Sequence, residues 1–123
     1  MTQEIKFGTD GWRGIIADDF TFENVRRVAG AIASYVRKYE NAQRGVIVGY
    51  DARFASPQAA RLVADVIAAA GIPVQLANDY IPTPAVSYAV KQRGAAGGVM
   101  VTSSHNPWNW NGVKFKANFG GSA

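Results

Sequence analysis

The chain has 123 residues, about the size of one ordinary domain, and 48% of them are hydrophobic, enough to build a single core. It contains no cysteine and one histidine, His105, which excludes disulfides, thiolate-ligated zinc or iron–sulfur sites, His-rich metal centres and Cys–His catalysis. The balance of 13 Lys+Arg against 9 Asp+Glu gives a formal +4, which suits a nucleic acid, an acidic lipid surface or a small phosphorylated substrate and does not by itself choose among them.

The N-terminus, Met1-Thr2-Gln3-Glu4, lacks the basic-then-apolar pattern of a signal peptide, and no run of about 18 apolar residues follows anywhere. The expectation is a soluble cytoplasmic protein without a membrane partner. Gly8, Gly11 and Gly14 break any regular pattern in the first twenty residues, and Trp12 to Ala17 reads as a short strand after a glycine-rich turn. From Phe22 to about Tyr39, Val25, Val28, Ala29, Ile32, Ala33 and Val36 recur at helical spacing, with Thr21 as N-cap. Val46 to Tyr50 is a β-branched run without polar alternation, as expected of a strand buried on both faces. Ser56-Pro57 then opens a second helix that Gly71 closes, and Ile72 to Ala77 reads as a strand. Thr83-Pro84 repeats the cap-plus-proline device for a third helix ending near Gly94, and Gly97 to Thr102 is a further buried strand.

The alternation predicts an α/β domain: a mixed, mostly parallel sheet sandwiched between helices. Active residues of such a domain belong in loops beyond the C-terminal strand ends, here Asp51 to Ala55, Asn78 to Pro82, and Ser103 onward. Arg26, Arg27, Arg37, Lys38, Arg61, Lys91 and Arg93 are scattered over the three predicted helices and read as solvated faces. A nucleic-acid partner is not expected, since that would call for a basic stripe interleaved with aromatics.

The densest cluster of reactive side chains is Thr102-Ser103-Ser104-His105-Asn106-Pro107, directly after an apolar strand. A hydroxyl just beyond a buried strand is held by a rigid scaffold and presented to solvent, which suits a nucleophile or phosphate carrier. The neighbouring imidazole of His105 can shuttle a proton, and Lys114 adds a cationic group nearby. Alone, the tetrapeptide Ser-His-Asn-Pro is also an ordinary turn. An acyl-transfer triad is disfavoured, because no Gly-x-Ser-x-Gly elbow exists. A second cluster, Phe7 to Gly14, has closely spaced glycines whose backbone N–H groups can approach an anion, with Arg13 able to pair with phosphate oxygens. It is neither a dinucleotide fingerprint nor a P-loop. The third, Gly49 to Pro57, carries Arg53 to the same sheet edge as Ser104, with Asp51 able to orient it.

Together these clusters resemble the α-D-phosphohexomutase family of phosphoglucomutases, phosphomannomutases and phosphoglucosamine mutases. The resemblance rests on Phe7 to Gly14, Gly49 to Pro57, Pro82-Thr83-Pro84-Ala85, and above all Gly98 to Pro107 with Asn111-Gly112-Val113-Lys114 at the expected distance. It covers nearly the whole chain.

The resemblance implies that Ser104 is phosphorylated in the resting enzyme, donates its phosphoryl group to a hexose phosphate, and recovers one from the bisphosphate intermediate. It implies a Mg²⁺ ion touching the chain through the phosphoryl group of Ser104, and a glucose 1,6-bisphosphate-type activator. His105 and Lys114 match residues for proton transfer or substrate contact, and Arg13 matches an arginine near the phosphoserine. Residues 1–123 correspond to the N-terminal, phosphoserine-bearing domain of a four-domain enzyme, and no Asp-rich metal motif occurs in them. The expectation is therefore a fragment, inactive alone, with a surface left uncovered that favours self-association. A rival of another class is a non-catalytic scaffold or binding module with the same fold. A nucleotide-binding domain ranks third for want of phosphate-loop patterns.

Overall fold

The apolar stripe at three-and-four spacing becomes the buried face of α1 (Phe22–Tyr39) in a computed structural model that describes residues 12–15, 21–52, 56–102 and 110–116. Thr21 caps the helix: its hydroxyl accepts from the Asn24 N–H at 3.2 Å, satisfying one of the donors that a helix start leaves open. Arg37 and Lys38 lie in the last turn, where positive charge complements the helix dipole.

A 3-10 turn (Ala42–Arg44) leads into β2 (Val46–Tyr50); β1 (Trp12–Ile15) has come before α1. Then follow α2 (Ser56–Ala69), β3 (Val74–Leu76), α3 (Thr83–Arg93), β4 (Gly97–Val101) and β5 (Trp110–Lys116). The sheet order is β1-β5-β4-β2-β3. β4, β2 and β3 run parallel, whereas β5 is antiparallel to both β4 and β1. The α/β class and the mixed, mostly parallel sheet are as expected. All five residues of β4 are buried, as a strand covered on both faces must be.

Some boundaries differ from the expectation, each for a local reason. β3 starts at Val74 instead of Ile72. Pro73 has no N–H to give to a ladder, and its carbonyl instead accepts from the Val46 N–H at 2.9 Å, while Ile72 packs into the core. The third helix takes Pro82 as its cap residue, without a side-chain cap bond, so Thr83 is already helical and Pro84 sits in the first turn, where a missing N–H is tolerated. Gly94, at φ 64, ends it in the left-handed conformation that glycine adopts most easily. β5 is an element that the sequence reading above does not assign.

The two faces of the sheet are covered unequally. α1 and α2 share one face with a large core that includes Val25, Ile32, Val48, Val63, Ile67 and Val99. α3 covers the other with a smaller cluster built on Val86, Val90, Ile47 and Met100. Glycine makes this thin layer feasible. A Cβ on Gly98 would lie 2.6 Å from Val90 Cγ2, and one on Gly49 would lie 2.5 Å from Val86 Cγ2, so α3 rests directly on strand backbone. All seven basic residues read as solvated helix faces are exposed.

Candidate active site

The chain leaves β2 toward β3 through α2, and leaves β4 in the opposite direction toward β5. The C-terminal ends of β2 and β4 are neighbours, with Tyr50 level with Val101. Two adjacent parallel strands whose onward connections diverge leave a crevice between them, the usual ligand position in open α/β sheets. Asp51 and Thr102 are the first residues past those two ends.

A closed set of polar contacts spans the crevice. The Thr102 hydroxyl donates to Asp51 Oδ2 at 2.5 Å, and the Ser56 hydroxyl donates to Asp51 Oδ1 at 2.9 Å. Having spent its one proton there, Ser56 Oγ accepts from Asn111 Nδ2 at 2.7 Å. Asn111 Oδ1 takes the Gly112 N–H at 2.9 Å, and the Gly112 carbonyl takes the Thr102 N–H at 2.9 Å. Ser56 and Asn111 are fully buried and Thr102 nearly so. Hydrogen bonds to a carboxylate are worth about 1.5–3 kcal/mol each, and a buried donor left without one costs a comparable amount, so this arrangement is strongly self-consistent. α2 begins at Ser56, which turns the positive end of its dipole toward the same crevice.

The residues expected to carry chemistry fall around this point to different extents. Ser104 and His105 lie outside the described residues, as does Arg53; they belong to the seven-residue stretch after Thr102 and to the stretch after Ala52. The backbone of Arg13 is in β1, opposite Gly112, which itself bonds Thr102. Arg13, Gly112 and Thr102 thus share one row across three strands, about 10 Å from end to end at ordinary strand spacing. Lys114 is on β5 opposite Met100, two residues inward from Gly112, and is only 9% exposed. The loop from Asn78 to Pro82 joins the same edge: the Ile81 N–H donates to the Tyr50 carbonyl at 3.0 Å, and the Tyr50 and Tyr80 rings meet edge-on at 5.7 Å.

A family model described as phosphoglucomutase/phosphomannomutase, alpha/beta/alpha domain I, matches residues 4–123. The chain belongs to this family. It is 39% identical over 120 residues to a phosphoglucomutase of Staphylococcus epidermidis, a match covering 93% of this chain and 21% of that protein. It is 38% identical over 117 residues to a phosphoglucosamine mutase of Levilactobacillus brevis, covering 93% of this chain and 26% of that one. A crystal structure of a candidate phosphomannomutase from Thermus thermophilus superposes on the whole chain with a TM-score of 0.92 at 42% identity, over 28% of its own length. The chain spans about a fifth to a quarter of the curated phosphohexomutases it matches.

Within this domain I the sequence pointed to Asp51, Arg13 and Lys114 but not to the way Ser56 and Asn111 cooperate. Ser56 read as a helix cap, and its hydroxyl does sit at the start of α2. The signal for Asn111 was the alternation that follows it, Val113 and Phe115 against Lys114 and Lys116, which marks a strand and so turns Asn111 inward on the Val113 face.

Proposed function

We propose that the chain is the N-terminal, phosphoryl-carrying part of a phosphohexomutase that interconverts hexose 1-phosphate and hexose 6-phosphate. Ser104 Oγ holds the phosphoryl group. A sugar hydroxyl oxygen attacks phosphorus, the P–Oγ bond breaks, and a hexose bisphosphate results. The other phosphate of that intermediate then returns to Ser104, so the chemistry needs no net phosphate. Such transfers depend on in-line positioning and charge stabilisation. Arg13 supplies counter-charge to a phosphoserine of roughly −1.5 to −2, and His105 and Lys114 serve proton transfer or substrate contact.

The observation that carries this reading is the crevice between β2 and β4, at which the stretch bearing Ser104 departs from Thr102 and returns at β5. Membership of the family supports it, as do relatives named as mutases of phosphorylated glucose and glucosamine. Among the described residues no cluster of three His, Asp or Glu side chains could hold a metal ion. In this reading Mg²⁺ meets this domain through the Ser104 phosphoryl oxygens, where it would supply charge neutralisation when bound.

The test is intact mass of the purified chain before and after incubation with glucose 1,6-bisphosphate and Mg²⁺. Gain of one phosphoryl group mapped to Ser104 is the expected result; no gain in protein that is folded by circular dichroism would leave a scaffold. Steady mutase turnover by residues 1–123 alone is not expected.

A further inference from the structure

We propose that Asp51 is a positioning residue that holds both ends of the segment 103–109 at a fixed separation; the proposal rests on the reading of Ser104 as phosphoryl carrier. Thr102 immediately precedes this segment and Trp110 and Asn111 immediately follow it. One carboxylate oxygen of Asp51 holds Thr102 directly, and the other holds Asn111 through the Ser56 hydroxyl. The two ends also bond each other, from the Thr102 N–H to the Gly112 carbonyl. A ring of five contacts thus closes through Asp51, Thr102, Gly112, Asn111 and Ser56.

Proton count gives Asp51 its place in the ring. Each hydroxyl has one proton, and both point to the carboxylate, so Asp51 must present two acceptors. An amide in its place would present one acceptor and one donor, so only one of the two hydroxyls could still donate to residue 51. Burial makes the arrangement informative. Apolar side chains of similar volume would pack at Ser56 and Thr102 without any desolvation penalty, and a polar network kept in such a place contributes uniqueness of geometry more than stability. Here the geometry it fixes is the spacing of two strand ends from which a seven-residue segment is suspended. Transfer chemistry loses about a hundredfold for an ångström of misplacement, which makes that spacing consequential for an oxygen two residues beyond Thr102.

The experiment measures backbone amide exchange in the 123-residue chain for Thr102→Val, which keeps shape and removes the hydroxyl, and for Thr102→Ser, which restores it. Thr102→Val is expected to raise exchange across 103–109 by about tenfold or more relative to amides in α2 and β2, and Thr102→Ser to stay within about twofold of the parent. Asp51→Asn is expected to match Thr102→Val, and the double variant to be no worse than either alone, because both break the same contact. A rise spread evenly over the whole chain, an unchanged 103–109, or a Thr102→Ser variant that behaves like Thr102→Val would each overturn the proposal. Should Thr102→Val fail to fold, Ser56→Ala provides the same contrast from the Asn111 side, with exchange at 110–112 expected to rise before that of α1. Exchange needs no phosphoryl transfer: a Ser104 that never takes phosphate would defeat the functional reading and leave this one standing.

Discussion

At the C-terminal edge of the sheet, side chains from β2, α2, β4 and β5 tie the strand ends together around one carboxylate. At the N-terminal edge backbone makes the corresponding closure: the Val46 N–H bonds the Pro73 carbonyl at 2.9 Å, and the Ala96 N–H bonds the Gly45 carbonyl at 2.8 Å. A shallow cleft of about 170 Å³ there is lined in part by Arg44, Gln75 and Arg93, and the Arg93 guanidinium donates to the exposed Gln75 amide oxygen at 2.6 Å. Backbone closure can be met by almost any sequence, whereas the opposite edge needs particular donors and acceptors at particular positions. Sensitivity to substitution should therefore be concentrated on one edge.

The largest effect that would sharpen this contrast is chemical. Ser104→Ala is expected to abolish phosphoryl uptake from glucose 1,6-bisphosphate entirely, read by intact mass, while Arg93→Ala at the other edge leaves uptake unchanged. In stability, Thr102→Val should lose about 1–3 kcal/mol by urea denaturation, from loss of the charge-assisted hydrogen bond to Asp51. Arg93→Ala should stay within about 0.5 kcal/mol, since its contact is exposed. Equal losses at the two edges would break the comparison. Gly98→Ala tests the thin α3 layer: the added methyl meets Val90 and is expected to cost about 1–3 kcal/mol by overpacking. The smallest effect is of opposite sign. Gly30, in the middle of α1 with open space where a Cβ would stand, should gain about 0.5–1 kcal/mol on change to Ala, visible as a raised Tm.

What could be read from the amino acids follows from how local each signal is. α1, α2, β2 and β4 came through because an apolar stripe or a short run without charged residues is a property of neighbours in sequence. β5 did not, because Trp-Asn-Gly-Val-Lys-Phe-Lys contains residues that disfavour strands, and its stability comes from pairing on both sides with β4 and β1. The candidate site divides the same way. Asp51 and Thr102 stood out as strand-end residues, but nothing near Ser56 in the chain announces Asn111, which lies 55 residues on. Such a contact exists only once the crossover through β3, α3 and β4 has folded.

The pairing of β1 with β5 joins the beginning of the chain to residues made about a hundred positions later, with Trp12 opposite Val113. At the ordinary pace of synthesis, about 5–20 residues per second, β1 waits roughly 5–20 seconds for its mate. The backbone of Arg13 consequently joins its row only after the parallel strands have had time to assemble, and the arrival of β5 is what ties β1 to the rest of the sheet.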